Sequence, residues 1–202
     1  MKKPATVLEI RTLGCFSISV EGKPVASVWP NETLKVLFCS LLSPLDLSFT
    51  WDRISRSMWG VPVLQLKEIF IGPLNSFLIE ELGFNPLIAG HEGIRIDLQG
   101  IHVDAIDFYG SAVEGLRLFS INNHAAALIK VNRAHSLYTG SYLPGIPGKI
   151  NTDTRNDLKS LYLTAVKNAM PLLCKTVGIS RAGVRSIYHG RLKSSSNDEV
   201  RL

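Results

Sequence analysis

Cysteine is scarce in this sequence, and its three copies form no recognisable pattern. Cys15, Cys39 and Cys174 are an odd number, lie far apart, and include no pair such as C-x-x-C. We therefore predict buried free thiols. The five histidines likewise show no ligand spacing with one another or with a cysteine, so we predict no metal site.

Long apolar runs are missing as well. No run approaches the ~20 residues that a membrane-spanning helix needs. The first ten residues carry Lys2 and Lys3 but have no apolar stretch behind them. The sequence therefore predicts a cytoplasmic protein without a membrane partner.

The motifs of common enzyme classes are absent too. The sequence contains no Gly-rich phosphate loop, no G-x-S-x-G and no H-E-x-x-H. Asp104 and Asp107 look like polar positions in the first turn of a helix, where the helix dipole favours acidic groups. We predict that the chain is not an enzyme, has no catalytic residues and needs no cofactor.

The sequence does contain enough apolar residues to fold, and its charge is unevenly distributed. Hydrophobic residues make up 46% and charged residues 19% of 202 residues, which suits two modest domains. Residues 1–110 hold nine Lys and Arg against twelve Asp and Glu, whereas residues 111–202 hold thirteen against five. A basic half indicates either a solvated helical surface or a patch that attracts anions such as nucleic acid.

The first hundred residues combine strand and helix patterns. Alternating apolar and polar residues over 7–13 and 16–20 predict two strands, and 25–28 a short third, in an antiparallel meander. Helical spacing follows from Asn31, from Asp52 as a helix cap, and over 63–82, where Gly72-Pro73 predicts a kink or split. Residues 85–98 then predict a hairpin. Strands, three helices and a hairpin are the element order of a winged helix with an added N-terminal sheet.

Beyond Gly100 the apolar spacing is helical. Two helices joined only by 120–123 predict a helical hairpin, the unit of tetratricopeptide-like arrays. A loop rich in Gly and Pro at 140–148 precedes a longer helix over 153–175. The predicted fold class is therefore α+β. A winged helix with an N-terminal antiparallel sheet (1–100) is followed by an all-α tetratricopeptide-like helical domain (101–178) and a basic, partly mobile tail (179–202).

Several motifs of the chain are informative when they are taken together and in order. They are Leu8-x-Ile10-x-x-Leu13-Gly14-x-Phe16, Asp52-Arg53-Ile54 with Met58-Trp59-Gly60, Val103-Asp104 with Phe108, Ala134-x-x-Leu137-Tyr138-x-Gly140-x-Tyr142-Leu143-Pro144, and Arg155-x-x-Leu158. In these motifs the sequence resembles bacterial transcriptional activators that join a response-regulator-type winged helix to a tetratricopeptide-like bacterial transcriptional activator domain, as in antibiotic-pathway regulators. The resemblance covers residues 7–173.

This resemblance implies a cytoplasmic regulator that binds promoter DNA through its winged helix. It also implies that the helical half serves dimerisation or contact with the transcription machinery, with RNA polymerase as the candidate partner. In such a winged helix the third helix enters the major groove and nearby cations hold phosphates. The candidate DNA-binding residues are Lys35, Arg53, Arg56, Lys67, Asn75, Ser76 and Arg95. For each of the cations outside the third helix, a solvated surface position is the alternative.

The third helix leaves a second interpretation open. It holds Lys67 against Glu68, Glu80 and Glu81, and carboxylates near phosphate add repulsion. The alternative function is a protein-interaction module on a degenerate winged helix that has lost direct DNA readout. The helical half is also shorter than in the family that the sequence resembles. Because an incomplete array leaves an apolar face uncovered, we predict a homodimer.

Overall fold

A computed structural model describes residues 8–46, 48–58 and 60–178 of the chain. Their fold divides into two compact units. The first comprises the described residues up to Ile106 together with Gly140–Leu158, and the second comprises Asp107–Thr139 together with the described residues from Lys159 onward. The division into domains at residue 100 stays a prediction, and the predicted tail 179–202 lies outside the described residues.

A four-stranded sheet lies in the first unit. Its strands are β1 (Leu8–Arg11), β2 (Ser17–Val20), β3 (Lys23–Val25) and β7 (Ile101–Val103), in the order β3-β2-β1-β7. The β1–β2 and β2–β3 pairs are antiparallel, as predicted, and Leu8 and Ile10 face the core. Strand β7 pairs with β1 in parallel, although the residues beyond Gly100 were predicted to be helical.

The third strand also begins earlier than predicted. It covers Lys23–Val25 instead of 25–28, and Ala26 ends it with a positive φ of 50°. The side chain of Val28 is 81% exposed, so it contributes nothing to the core. Beyond the end of the β2–β3 pairing, the backbone N–H of Ala26 donates to Glu81 Oε2 at 2.8 Å.

Five helical segments, of which the last three are continuous with one another, and a second sheet follow. They are α1 (Glu32–Leu41), β4 (Phe49–Thr50), α2 (Trp51–Ser57), α3 (Val63–Gln65), a π-helical segment (Leu66–Ile71), α4 (Gly72–Leu82), β5 (Leu87–Ala89) and β6 (Gly93–Ile96). Asn31 caps α1 by accepting from the Leu34 N–H, as predicted. Thr50, not the predicted Asp52, caps α2 by accepting from the Arg53 N–H. Strands β5 and β6 form the predicted hairpin, and the two-residue strand β4 adds to it in the order β4-β6-β5.

Residues 63–82, called the composite helix below, remain helical throughout. Of the kink or split that Gly72-Pro73 predicts, the split does not occur. Instead the π-helical segment ends where the Gly72 N–H donates to Lys67 O, five residues back, directly before the proline. A proline ring clashes with the carbonyl one α-helical turn back, and a π-helical turn is wider than an α-helical one. A second π-helical segment (Leu163–Ala169) likewise ends with an N–H bond five residues back, from Met170 to Ala165, before Pro171.

Two partly buried polar side chains, Asp104 and Arg155, fix loops of the first unit. Asp104 Oδ1 accepts from Thr12 N at 2.7 Å, Thr12 Oγ1 at 2.6 Å and Ala105 N at 2.8 Å, and its Oδ2 accepts from Leu13 N at 3.0 Å. Asp104 therefore does more than occupy the first turn of a helix, because it also satisfies two backbone groups 91 and 92 residues away.

Arg155 serves the loop 140–148 in a similar way. Its Nε donates to Tyr142 O at 2.7 Å, and its Nη2 donates to Leu143 O at 2.6 Å and to Ile146 O at 3.0 Å. A single planar guanidinium thus satisfies three carbonyls of a loop that has no regular secondary structure. Burial raises the pKa of the neighbouring Tyr142 hydroxyl well above its ordinary value, so this tyrosine stays neutral inside the core.

The second unit is helical. The remaining α-helices of the described residues are α5 (Asp104–Ser120), α6 (His124–Leu137), α7 (Lys149–Tyr162) and α8 (Met170–Thr176). The second unit contains α6, α8 and most of α5, whereas most of α7 belongs to the first unit. The predicted helical hairpin is confirmed, since only 121–123 separate α5 from α6. Gly115 permits their close approach, because a Cβ there would lie 2.7 Å from Val131 Cγ2. The longer helix begins at Lys149, four residues before the predicted start.

The cysteines differ from the prediction at one position. Cys39 and Cys174 are buried free thiols, whereas Cys15 is exposed in the loop between β1 and β2. Burial raises the pKa of the Cys39 and Cys174 thiols, which keeps both protonated at neutral pH.

Among the residues that the structure describes, no three His, Cys, Asp or Glu side chains come together in a way that could hold a metal ion. Within the same residues, no helix combines the length and hydropathy needed to cross a membrane.

Candidate nucleic-acid interface

Trp51, the first residue of α2, connects the three elements of the predicted DNA-binding surface. Its backbone N–H donates to Glu92 O and its Nε1 to Gly90 O, both at 3.1 Å, in the turn of the β5–β6 hairpin. Lys67 Nζ of the composite helix lies 4.5 Å from the centroid of its ring. A nearly buried tryptophan thus fixes the hairpin turn against α2 and the composite helix.

The two arginines of α2 are exposed but paired. Arg53 makes a bidentate ion pair with Asp46, with both N–O distances at 2.6 Å, and its guanidinium lies 5.2 Å from the ring centroid of Phe49. Arg56 lies 3.5 Å from Asp52, one turn earlier on the same helix. Both cations face solvent, and each already has a carboxylate partner.

Arg95 differs from the other predicted cations. It lies on β6 between the buried Ile94 and Ile96, so the alternation of the strand turns its side chain to the surface. Within the described part of the chain, no carboxylate forms an ion pair with it. Gly93 allows this strand to approach β4 closely, because a Cβ at Gly93 would overlap the carbonyl oxygen of Phe49.

Lys35 on α1 is less available. Its ammonium lies 3.6 Å from the Glu32 carboxylate, three residues earlier on α1, and its side chain is only one-quarter exposed. An exposed pair of this kind contributes little to stability. Lys35 therefore offers a partly neutralised charge to any polyanion.

The composite helix carries the three remaining candidates, and the structure places them differently. Lys67 is exposed and lies over the Trp51 ring, as described above. Ser76 is exposed, and its Oγ donates to Gly72 O at 3.2 Å. Asn75 is only partly exposed, and its Oδ1 is buried without a hydrogen-bond partner among the described residues. Of the three, only Lys67 presents a charge.

The outward face of the composite helix is apolar and acidic. We use this name for its exposed positions other than Lys67 and Glu81, which are Leu64, Gln65, Glu68, Ile69, Gly72, Pro73, Ser76, Ile79 and Glu80. Leu64 is 68%, Ile69 57% and Ile79 50% exposed. The nine positions include two carboxylates and no lysine or arginine. Base edges in the major groove are contacted by Arg, Lys, Asn or Gln, and only Gln65 of these types is present on this face.

Sequence reasoning missed these exposed apolar residues. The interpretation of the helix rested on its polar side chains, whereas the outward face is marked by apolar residues that the core does not use. Spacing by four residues places Leu64 with Glu68 and Gly72, and Gln65 with Ile69 and Pro73. That spacing relative to the buried Leu66, Leu74 and Leu78 was the information in the sequence that could have identified the face.

The fold is of the mixed α+β class, with an N-terminal sheet and a helical C-terminal part. No protein-family model matches the sequence, and no curated protein matches it. Its fold is similar to that of EmbR from Mycobacterium tuberculosis, solved in complex with a low-affinity phosphopeptide, with a TM-score of 0.68 and 14% identity. The similarity covers 95% of this chain and 52% of the EmbR chain, so the chain spans about half the length of that protein. A likeness at this identity shows the shared fold.

Proposed function

We propose that this chain is a transcription regulator that docks on promoter DNA through its winged helix, as expected for the bacterial activators that its motifs resemble, but with α2 and the hairpin as the main contacting elements instead of the third helix. The observation that carries the proposal is the architecture itself. An N-terminal sheet, three helical segments, a hairpin and a helical C-terminal part occur here in the same fold as EmbR. The fold alone does not define a function, so the proposal also needs groups that bind a polyanion.

Those groups are the cations of α2 and the hairpin. Arg53, Arg56 and Arg95 are all exposed, and β4 connects them, since Phe49 pairs with Ile94 and its ring lies beneath Arg53. Exposed ion pairs are weak, and a phosphate can replace Asp46 or Asp52 as the partner of an arginine. We therefore propose phosphate contacts from these arginines, with Lys35, Lys67, Asn75 and Ser76 as secondary candidates.

The helical C-terminal part has a second role in this proposal. As a tetratricopeptide-like domain it would serve homodimerisation or contact with RNA polymerase, in a regulator that acts in the cytoplasm. Exposed apolar residues of this part support an interface of this kind, for example Ile121 between α5 and α6, which is 58% exposed, and Ile129 on α6, which is 69% exposed.

Binding to duplex DNA should depend strongly on salt if the arginines contact phosphates. We expect fluorescence anisotropy with a mixed-sequence duplex to show a log–log salt slope of about −0.9 for each phosphate neutralised. Arg95→Ala, and separately Arg53→Ala, should each weaken binding and make the slope shallower by about one unit. Arg117→Ala is the matched control, because Arg117 is exposed and paired with Glu114 at 2.7 Å but lies on α5. A slope near zero, or an equal loss in the control variant, would contradict the proposal.

The second candidate function is a protein-interaction module on the same scaffold. The specific observation in its favour is the outward face of the composite helix, with its exposed apolar residues and its glutamates. In this case the salt-dependent DNA binding would be absent, while the chain would still act on transcription through a protein partner.

A further inference from the structure

We propose that the outward face of the composite helix is a protein-docking surface, and that its partner is a basic amphipathic segment: apolar side chains flanked by Lys or Arg. The main DNA contacts proposed above, Arg53, Arg56 and Arg95, lie on α2 and the hairpin, and only the secondary candidate Ser76 belongs to this face. The docking proposal is therefore tested separately from DNA binding by the three arginines.

The outward face exposes large apolar side chains to water. Leu64, Ile69 and Ile79 keep half or more of their surface in water, and Pro73 is exposed between them. Three large exposed aliphatic side chains are unusual on the face of a helix that enters the DNA major groove, where base edges offer hydrogen-bonding groups. Covering them with another apolar surface removes that area from water and favours association.

The charged side chains of the outward face are acidic. Glu68 and Glu80 accompany the apolar residues on this face, and none of its nine positions is a lysine or an arginine. The single lysine of the helix, Lys67, is turned towards the Trp51 ring. The face therefore repels the phosphates of a nucleic acid and favours a partner with positive charges.

The same charges argue against a second copy of this face as the occupant. In a two-fold symmetric pair the same patch is present on both subunits, so glutamates would meet the corresponding face of the other copy. Like charges brought together at an interface are unfavourable. A basic partner removes this repulsion and adds charge-assisted contacts at the rim.

The composite helix is held firmly against the core of the first unit. The buried side of the helix is anchored by aromatic packing, with the ring centroids of Phe77 and Trp29 4.8 Å apart and those of Trp29 and Phe38 5.5 Å apart. Leu66, Leu74 and Leu78 have no exposed surface. The outward face is thus a preformed helical surface, and binding to it loses little conformational entropy.

The test uses the full chain and a labelled Leu–Lys amphipathic peptide about four helical turns long. A peptide with Glu at every Lys position serves as the charge control. We expect the Leu–Lys peptide to bind measurably in fluorescence anisotropy and to shift the backbone amide resonances of residues 64–80. The Glu peptide should bind at least about tenfold more weakly.

Two variants locate the site. The triple variant Leu64→Ser, Ile69→Ser, Ile79→Ser should weaken binding at least about tenfold, and Glu68→Lys with Glu80→Lys should weaken it and remove its salt dependence. Ile129→Ser is the matched control, because Ile129 is 69% exposed on α6. All of the substituted side chains are exposed, so folding is expected to persist and is checked by circular dichroism and thermal melting.

Several results would overturn the proposal. They are equal binding by the triple variant and the native chain, equal binding of the two peptides, resonance shifts confined to the second unit, and no binding of the Leu–Lys peptide. Self-association that the triple variant abolishes, without peptide binding, would assign the face to a second copy and would also overturn it. Loss of DNA binding in the arginine variants has no bearing on these outcomes, so the two proposals fail separately.

Discussion

Asp104→Ala is expected to destabilise the protein by about 3–5 kcal/mol, because it removes an acceptor that buried backbone groups depend on. Thr12 has no exposed surface and Leu13 is 2% exposed, and the carboxylate accepts from the backbone N–H of both. Each buried donor left without a partner costs ~1–3 kcal/mol. The substitution also removes an acceptor from Ala105 N at the start of α5, which adds a loss of the size seen at helix caps, ~1 kcal/mol.

Urea denaturation of the full chain measures this effect as a lower midpoint with an unchanged slope. Asp157→Ala is the matched control, since Asp157 is an exposed aspartate within α7, and it should change the free energy of unfolding by less than about 0.5 kcal/mol. Asp104→Asn should be intermediate, because its single carbonyl oxygen cannot accept all four bonds. If Asp104→Ala unfolds at the same midpoint as Asp157→Ala, the role assigned to Asp104 is wrong.

Gly93→Ala is expected to have a similarly large effect, at least about 3 kcal/mol, through overpacking between strands β4 and β6. The added Cβ would overlap Phe49 O and lie 2.8 Å from the carbonyl carbon of Phe49 and 3.0 Å from Thr50 Cα. These atoms belong to a backbone that is paired with β6 through Phe49–Ile94 and Thr50–Gly93, so relief requires breaking that pairing. The strand that carries Arg95 would then lose its support.

Hydrogen exchange checks this prediction at the backbone amides of β4 and β6, where protection should fall, and thermal melting checks the loss of stability. Gly90→Ala in the same hairpin is the matched control, because a Cβ there would make an ordinary contact of 3.9 Å with Gly93 O. The control should keep both its protection and its melting temperature. Equal behaviour of the two variants would show that β4 does not constrain the hairpin.

Much of the fold could be predicted from the sequence because its elements depend on local patterns. Strands β1 and β2 follow from alternation, α1 begins where its cap Asn31 predicts, and α5 and α6 follow from helical spacing. Strand β7 could not be predicted in this way. It has three residues, and only parallel pairing with β1, more than 90 residues earlier, makes it a strand. Strand β4, with two residues, likewise depends on β6.

The candidate interface was less accessible to sequence reasoning. The sequence identifies arginines, but the bidentate partner of Arg53, Asp46, lies seven residues away, across a loop and strand β4. The position of Lys67 over Trp51 likewise depends on tertiary packing. The exposure of Ile69 and Ile79 depends on the turn of the π-helical segment, which changes the register of the helix after residue 66. Periodicity alone does not distinguish an apolar face that the core covers from one that stays exposed.

In the proposed mode of binding, α2 and the hairpin contact DNA phosphates while the outward face of the composite helix remains free for a protein. The decisive experiment is a titration of the isotope-labelled full chain with a mixed-sequence duplex at low salt, followed by backbone amide NMR. We expect resonance shifts at Arg53, Arg56 and Arg95 that disappear as salt is raised, and none at Leu64, Ile69 or Ile79. Shifts concentrated on residues 64–80, or no shifts at the three arginines, would contradict it.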